Sequence, residues 1–189
     1  MNATIDLKNI CIETDRLILR QWKETDLNDF FEYASVDGVG QMAGWQPHKS
    51  LEESAAILKM FIEERKTFAV VLKESNKVIG SVGIEKLSTE IDGYENMTGR
   101  EIGYVLNKDY WGQGLMPEAV KAVQKYLFEK AGLDFLVVSH YVWNGQSRRV
   151  IQKSGFKYLK TIQLNTRYDT VEDTLVYLLK KEDWRNATA

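Results

Sequence analysis

Residues Tyr110-Trp111-Gly112-Gln113-Gly114-Leu115-Met116-Pro117-Glu118 constrain this chain more than any other stretch. An apolar, strand-like run (residues 101–106) precedes them. After them, Ala119, Val120, Val123, Tyr126 and Leu127 recur on one helical face. The pattern predicts a strand, a tight turn and a long amphipathic helix. Pro117 suits the first helical position, and Gly132 suits the residue just past the end. A helix N-terminus presents unpaired amides and the positive end of the helix dipole, and glycines let a ligand approach the backbone. The turn therefore suits a phosphate; the other reading is a plain strand-to-helix turn that needs glycine for its φ angles. Two familiar phosphate motifs do not fit. A P-loop would end in Gly-Lys-Ser/Thr, which is absent. A dinucleotide fingerprint would place a third glycine at Pro117 and an acid at the end of the next strand, where Asp134 instead opens that strand.

The remaining pattern alternates strands and helices. A strand is expected over residues 12–22, then a short helix with Leu27, Phe30, Phe31 and Ala34 on one stripe. A loop over residues 37–49 carries Trp45, Pro47 and His48. Ser50 with Glu53 forms a capping box that starts a second helix. Strands follow at 68–72, 78–85 and 101–106, then the long helix, a strand at 135–142, a short helix at 147–153, and strands at 156–164 and 174–179. The order β-α-α-β-β-β-α-β-α-β-β gives an α+β fold with one mixed sheet.

Composition narrows the class further. A chain of 189 residues with 44% hydrophobic residues can bury a real core, which excludes disorder. With 25 basic against 27 acidic residues, no bulk charge points to nucleic acid or an anionic membrane. Cys11 has no partner for an internal disulfide, and His48 and His140 lie far apart without cysteines, so no zinc or other metal is expected. No apolar run approaches the ~20 residues that span a bilayer, and residues 1–10 lack a signal-type apolar stretch. The expectation is a cytoplasmic protein with one domain over residues 1–189, residues 1–10 being an N-terminal arm and 181–189 a tail.

A second segment, Asn144-Gly145-Gln146-Ser147 followed by Lys153-Ser154-Gly155-Phe156, resembles the N-x-x-S…K-x-G-F signature of the GNAT N-acetyltransferases, in the ribosomal-protein N-terminal acetyltransferase (Rim-type) branch. Glu13-Thr14-Asp15-Arg16-Leu17-Ile18-Leu19-Arg20 resembles the start of that branch. Glu101-Ile102-Gly103-Tyr104-Val105-Leu106 is similar to its fourth strand, and Trp111-Gly112-Gln113-Gly114 to its cofactor turn. The pieces fall in family order from Glu13 to Tyr177. Two positions depart: Met116 ends the turn where a Gly or Ala is usual, and Ile151 stands where many relatives carry an acidic tyrosine.

The resemblance implies a single-domain acyl-CoA N-acyltransferase fold with a central, mixed, mostly antiparallel and splayed sheet flanked by helices. It implies transfer of an acetyl group from acetyl-CoA, the cosubstrate, to a primary amine by direct attack in a ternary complex. The fourth-strand edge at Tyr104, Val105 and Leu106 would take the pantetheine arm, with the amide of Leu106 or Asn107 at the developing oxyanion. The amides of Gln113, Gly114, Leu115 and Met116 would hold the pyrophosphate, and Asn144 the pantetheine amides. Arg148, Arg149 and Lys153 could reach CoA phosphates or be plain solvated charges. Ser147 would protonate the leaving thiolate.

For the base, Glu101 comes first, the other reading being a strand-end charge. His140 has a suitable intrinsic pKa but reads better as a packed histidine. Trp45, His48 and Tyr168 are candidates for acceptor binding, against loop anchoring or a turn. The acceptor is a protein N-terminal amine or a small-molecule amine. An α-amino group, titrating near 7.7–8.0, needs only a modest base, whereas a lysine near 10.4 needs more. A homodimer is compatible with the resemblance. The alternative is a non-catalytic acyl-CoA-binding module.

Overall fold

The computed structural model describes residues 2–166 and 170–188. Alternation along strand β3 (Thr67–Leu72) sets out its layers. Phe68 and Val70 enter one apolar cluster, and Ala69 and Val71 enter another. A strand of period two behaves this way when both faces of its sheet are covered. Helices α1 (Leu27–Ala34) and α2 (Leu51–Glu64) cover the second cluster through Phe30, Tyr33, Ala34 and Leu58. Helix α3 (Leu115–Glu129) covers the first with Leu115, Met116, Ala119, Val120, Val123 and Leu127. Ser50 caps α2 as its sequence predicts, its side chain accepting from Glu53 N–H.

The described strands form one sheet. β1 (Ile12–Glu13), β2 (Leu17–Arg20), β3, β4 (Lys77–Glu85) and β5 (Gly99–Leu106) run side by side in chain order. β6 (Phe135–Tyr141) follows, then β8 (Val171–Lys180), with β7 (Lys157–Asn165) outermost. Every neighbouring pair is antiparallel except β5 and β6. That parallel pairing spans only Gly99↔Phe135, Arg100↔Leu136 and Glu101↔Val137. Both strands continue beyond it unpaired with each other, so the sheet is mixed, mostly antiparallel and splayed. Helix α4 (Gly145–Lys153) follows β6.

Three expectations change. The strand expected at 12–22 is a short hairpin instead, because Thr14 and Arg16 turn away to bind Glu118 on α3. α3 begins at Leu115, so Pro117 occupies its third position; its missing N–H still falls among those without an intrahelical partner. The C-terminal tail is a helix, α5 (Lys181–Thr188), whose Trp184 ring lies 5.3 Å from that of Phe128 and so tucks against the core. At the other end Leu7 is fully buried, which ties the N-terminal arm to the same core. None of the described helices is long and apolar enough to cross a membrane.

Candidate active site

The glycine turn owes its shape to backbone conformation. Gly112 and Gly114 have φ of 80° and 77°, left-handed values that L side chains rarely adopt. A Cβ on Gly112 would meet nothing within 4 Å, so conformation and not space demands glycine there. The first bond of α3 runs from Glu118 N–H to Gly114 C=O (3.3 Å). The amides of Leu115 and Met116 precede that bond and point out of the helix start, with the dipole behind them. Their side chains are buried in the main core. This explains how Met116 fits where a small residue is usual: only its backbone faces the turn.

A clamp from the N-terminal hairpin holds the turn. Arg16 donates to Gln113 C=O (3.0 Å) through Nη1 and to Glu118 Oε2 (2.7 Å) through Nε. Thr14 Oγ1 and Arg16 N–H donate to the other Glu118 oxygen. Burial works to raise the Glu118 carboxyl pKa, but the hydrogen bonds from Thr14 and Arg16 and the Arg16 charge outweigh it, holding the group below the usual carboxylate range.

The edge of β5 is legible from one bond. Asn107 N–H donates to Ile79 C=O on β4 (2.7 Å), which removes Asn107 as an oxyanion donor. Because successive amides alternate along a strand, the N–H groups of Leu106 and Tyr104 lie on the opposite edge, toward the splay. Trp111 Nε1 donates to Leu106 C=O (2.8 Å) and fastens this edge to the glycine turn.

Asn144 caps α4 by accepting from Ser147 N–H (3.0 Å). Its Nδ2 donates to Met42 C=O (3.0 Å), binding α4 to the loop after α1. Ser147 Oγ lies 2.8 Å from the Tyr104 hydroxyl. Ile151 is buried in the main core.

Two clefts occupy the splay. The first, of about 210 Å³, is lined by Tyr104, Leu106, Gly114, Met116, Asn144 and Ser147, with Arg149 and Lys153 farther along its wall. The second, of about 300 Å³, is lined by Glu101, Ser139, His140 and Tyr141. Tyr104, Ser147, Met42 and Ala43 line both, so the clefts meet at a waist.

Glu101 stands on the last paired rung of β5 and β6, at the fork. Ser139 Oγ donates to its Oε1 (2.6 Å) and Ser88 N–H to its Oε2 (2.9 Å). This buried carboxylate opens on the second cleft and is no surface charge. His140 is buried with its Nδ1 2.8 Å from Tyr141 C=O and its ring stacked on Tyr177. Desolvation lowers its pKa, so it is neutral at pH 7.

Trp45 and His48 lie on neither cleft wall. His48 Nδ1 is 2.7 Å from Ser54 Oγ and its ring meets those of Phe30 and Trp45. These residues anchor the loop whose Met42 and Ala43 reach the waist. Gln113 is held from below, its carbonyl by Arg16. Tyr168 lies outside the described residues. Sequence reading missed Met42, Ala43, Ser139 and the Tyr104 side chain, the last because strand alternation from Glu101 selects Gly103 and Val105 instead. Among the described residues, no group of three His, Cys, Asp or Glu side chains could hold a metal ion.

A splayed strand edge, a glycine turn at a helix start and a capped serine helix together define an acyl-CoA transfer fold. The chain belongs to the acetyltransferase (GNAT) domain family, whose model matches residues 16–157, and is an acetyl-CoA-dependent N-acetyltransferase. It is 27% identical over 176 residues to the uncharacterised N-acetyltransferase YoaA of Bacillus subtilis, covering 90% of this chain and 96% of the relative. Its fold is similar to that of a GNAT-family acetyltransferase from Bacillus anthracis (TM-score 0.79, 23% identity, 92% of this chain and 99% of the other). It also resembles the ribosomal-protein-S5-alanine acetyltransferase of Vibrio fischeri (TM-score 0.71, 22% identity, 93% and 99%). A further likeness is to the microcin C7 self-immunity acetyltransferase MccE in complex with acetyl-CoA and AMP (TM-score 0.73, 15% identity, 88% and 93%).

Proposed function

We propose that the first cleft takes acetyl-CoA, the second takes a primary amine of the α-amino type, and the acetyl group passes between them at the waist. The observation that carries this reading is the meeting of the two clefts at Tyr104 and Ser147, beside the free edge of β5. Residues 1–189 then act as one domain with both substrates bound in the same splay.

Acetyl-CoA brings a thioester whose carbonyl carbon is the electrophile. The edge amides of Tyr104 and Leu106 receive the slim pantetheine arm, and Leu106 N–H also faces the oxygen that gains charge. Gln113, Gly114, Leu115 and Met116 supply backbone to the pyrophosphate, and Arg149 and Lys153 add charge along the wall. Asn144 offers its amide to the arm, at the cost of sharing it with Met42. Holding both reactants at one waist converts an encounter in solution into a positioned attack.

Glu101 takes the ammonium proton, directly or through a water, and Ser147 protonates the departing sulfur. An α-amino group is partly neutral at pH 7 and asks little of such a base. A protein N-terminus is therefore the first acceptor class, in keeping with the activity named for the Vibrio fischeri neighbour. The MccE likeness favours a small-molecule amine as the second.

Calorimetric titration with acetyl-CoA, followed by thiol release against peptides with free N-termini, amino sugars and polyamines, tests the reading. Ser147→Ala and Glu101→Gln are expected to bind acetyl-CoA within about fivefold of wild type and to lose about 10²-fold or more in turnover. Wild-type turnover in the double variant would refute the assignment. Binding without turnover on any acceptor would favour a non-catalytic acyl-CoA module.

A further inference from the structure

The Tyr104 hydroxyl is the one side-chain polar group recorded within hydrogen-bond distance of Ser147 Oγ among the described residues, at 2.8 Å. It also lies 3.2 Å from the Ser147 carbonyl, so two atoms of one residue face a single phenol. Both side chains line both clefts. The backbone around them is fixed independently: Asn144 caps Ser147 N–H, and Tyr104 is paired opposite Val82 on β4.

We infer that Tyr104 is a positioning residue for the transfer, fixing the Ser147 hydroxyl so that its hydrogen points at the thioester sulfur. This rests on the role given to Ser147 above. A serine hydroxyl has one hydrogen and two lone pairs, and an unrestrained one rotates among three staggered positions. The phenol has one hydrogen; given to Oγ at 2.8 Å in preference to the Ser147 carbonyl at 3.2 Å, it occupies one lone pair, and Ser147 keeps its own hydrogen for sulfur and its second lone pair for the nitrogen side. As the amine nitrogen bonds to the carbonyl carbon and the C–S bond breaks, the electron pair leaves on sulfur. Ser147 gives its proton to that sulfur and takes the proton that the nitrogen sheds. The phenol keeps its own proton throughout. Burial pushes the Tyr104 pKa up, against a smaller opposing effect of the Ser147 hydrogen bond, so the hydroxyl stays a donor across the working pH range.

The test compares CoA with desulpho-CoA, which lacks the sulfur, by calorimetry. The wild-type protein is expected to prefer CoA by about fivefold, the size of one hydrogen bond. Ser147→Ala and Tyr104→Phe should each abolish that preference while binding desulpho-CoA normally. Thiol release from acetyl-CoA with saturating glycinamide, a bare α-amine, gives the second readout. Tyr104→Phe should lower kcat about tenfold or more with KM for acetyl-CoA unchanged, and the double variant should be no slower than Ser147→Ala. Matching melting temperatures exclude a folding effect. If Tyr104→Phe keeps both the preference and the rate while Ser147→Ala loses them, the inference fails and the Ser147 assignment stands. If Ser147→Ala keeps both, the assignment itself fails.

Discussion

Trp111 Nε1 donates to the carbonyl of Leu106 at 2.8 Å, joining the glycine turn to the free edge of β5. Neither residue is near the other in a strand or helix ladder, and the bond fixes how far the turn stands from β5. Trp111→Phe keeps most of the apolar contact and removes only the donor. The Leu106 carbonyl then loses a partner worth about 1 kcal/mol. The melting temperature should fall by about 2–4 °C and calorimetry should show weaker acetyl-CoA binding; unchanged affinity would show that the turn keeps its place without the bond.

Gly112→Ala isolates conformation from packing, since the added methyl meets nothing within 4 Å. A left-handed alanine costs about 1–2 kcal/mol. The variant should melt earlier and, because the turn relaxes away from φ near 80°, bind acetyl-CoA more weakly. An affinity equal to wild type would mean that the turn does not hold the pyrophosphate.

The two histidines set the stability profile near neutrality. Desolvation lowers the pKa of both His48 and His140 in the folded chain. A folded pKa below the unfolded value of about 6.5 gives stability that is full above that pH and is lost as pH falls through the folded pKa. Urea midpoints should therefore drop between about pH 7 and pH 5, ahead of any carboxylate. His48→Gln with His140→Gln should flatten that interval. A wild-type midpoint constant across it would contradict the prediction.

Glu118 acts at a lower pH with the same sign. Its folded carboxyl lies below the usual range, so its contribution is present above about pH 4.3 and fades as the group is protonated below it. Glu118→Gln should be less stable than wild type at pH 7 and lose less on acidification to pH 3. Equal slopes for the two proteins would remove Glu118 from the clamp.

Much of this fold was legible because its signals are local. Ser50 and Glu53 announce a helix start, and Gly112 with Gly114 announces a turn, each within a few residues. Glu101 and Ser147 were reachable as well, one from its place at a strand start and the other from the motif that Asn144 opens. What escaped depends on contacts between distant segments. Residues 14–16 read as strand until Glu118, more than a hundred positions on, draws them out of line. Asn107 looked available until Ile79 took its amide. For Trp45 and His48 the sequence leaves acceptor binding and loop anchoring both open, and the His48 ring against those of Phe30 and Trp45 favours anchoring. Residues 181–188 carry few apolar side chains, and it takes Phe128 beneath Trp184 to make them a docked helix.

The fork after Glu101 and Val137 leaves an unpaired strand edge in the middle of a sheet, where most proteins leave such edges only at the rim. An open edge is ordinarily a risk, because another chain can add a strand to it. Here the outer rims are far away, and Met42, Ala43 and Asn144 stand around the opening. A polypeptide strand, with side chains on both faces, would have to push past these walls to reach the edge. The walls around the fork thus guard, in the middle of the sheet, an edge that other proteins must protect at the rim.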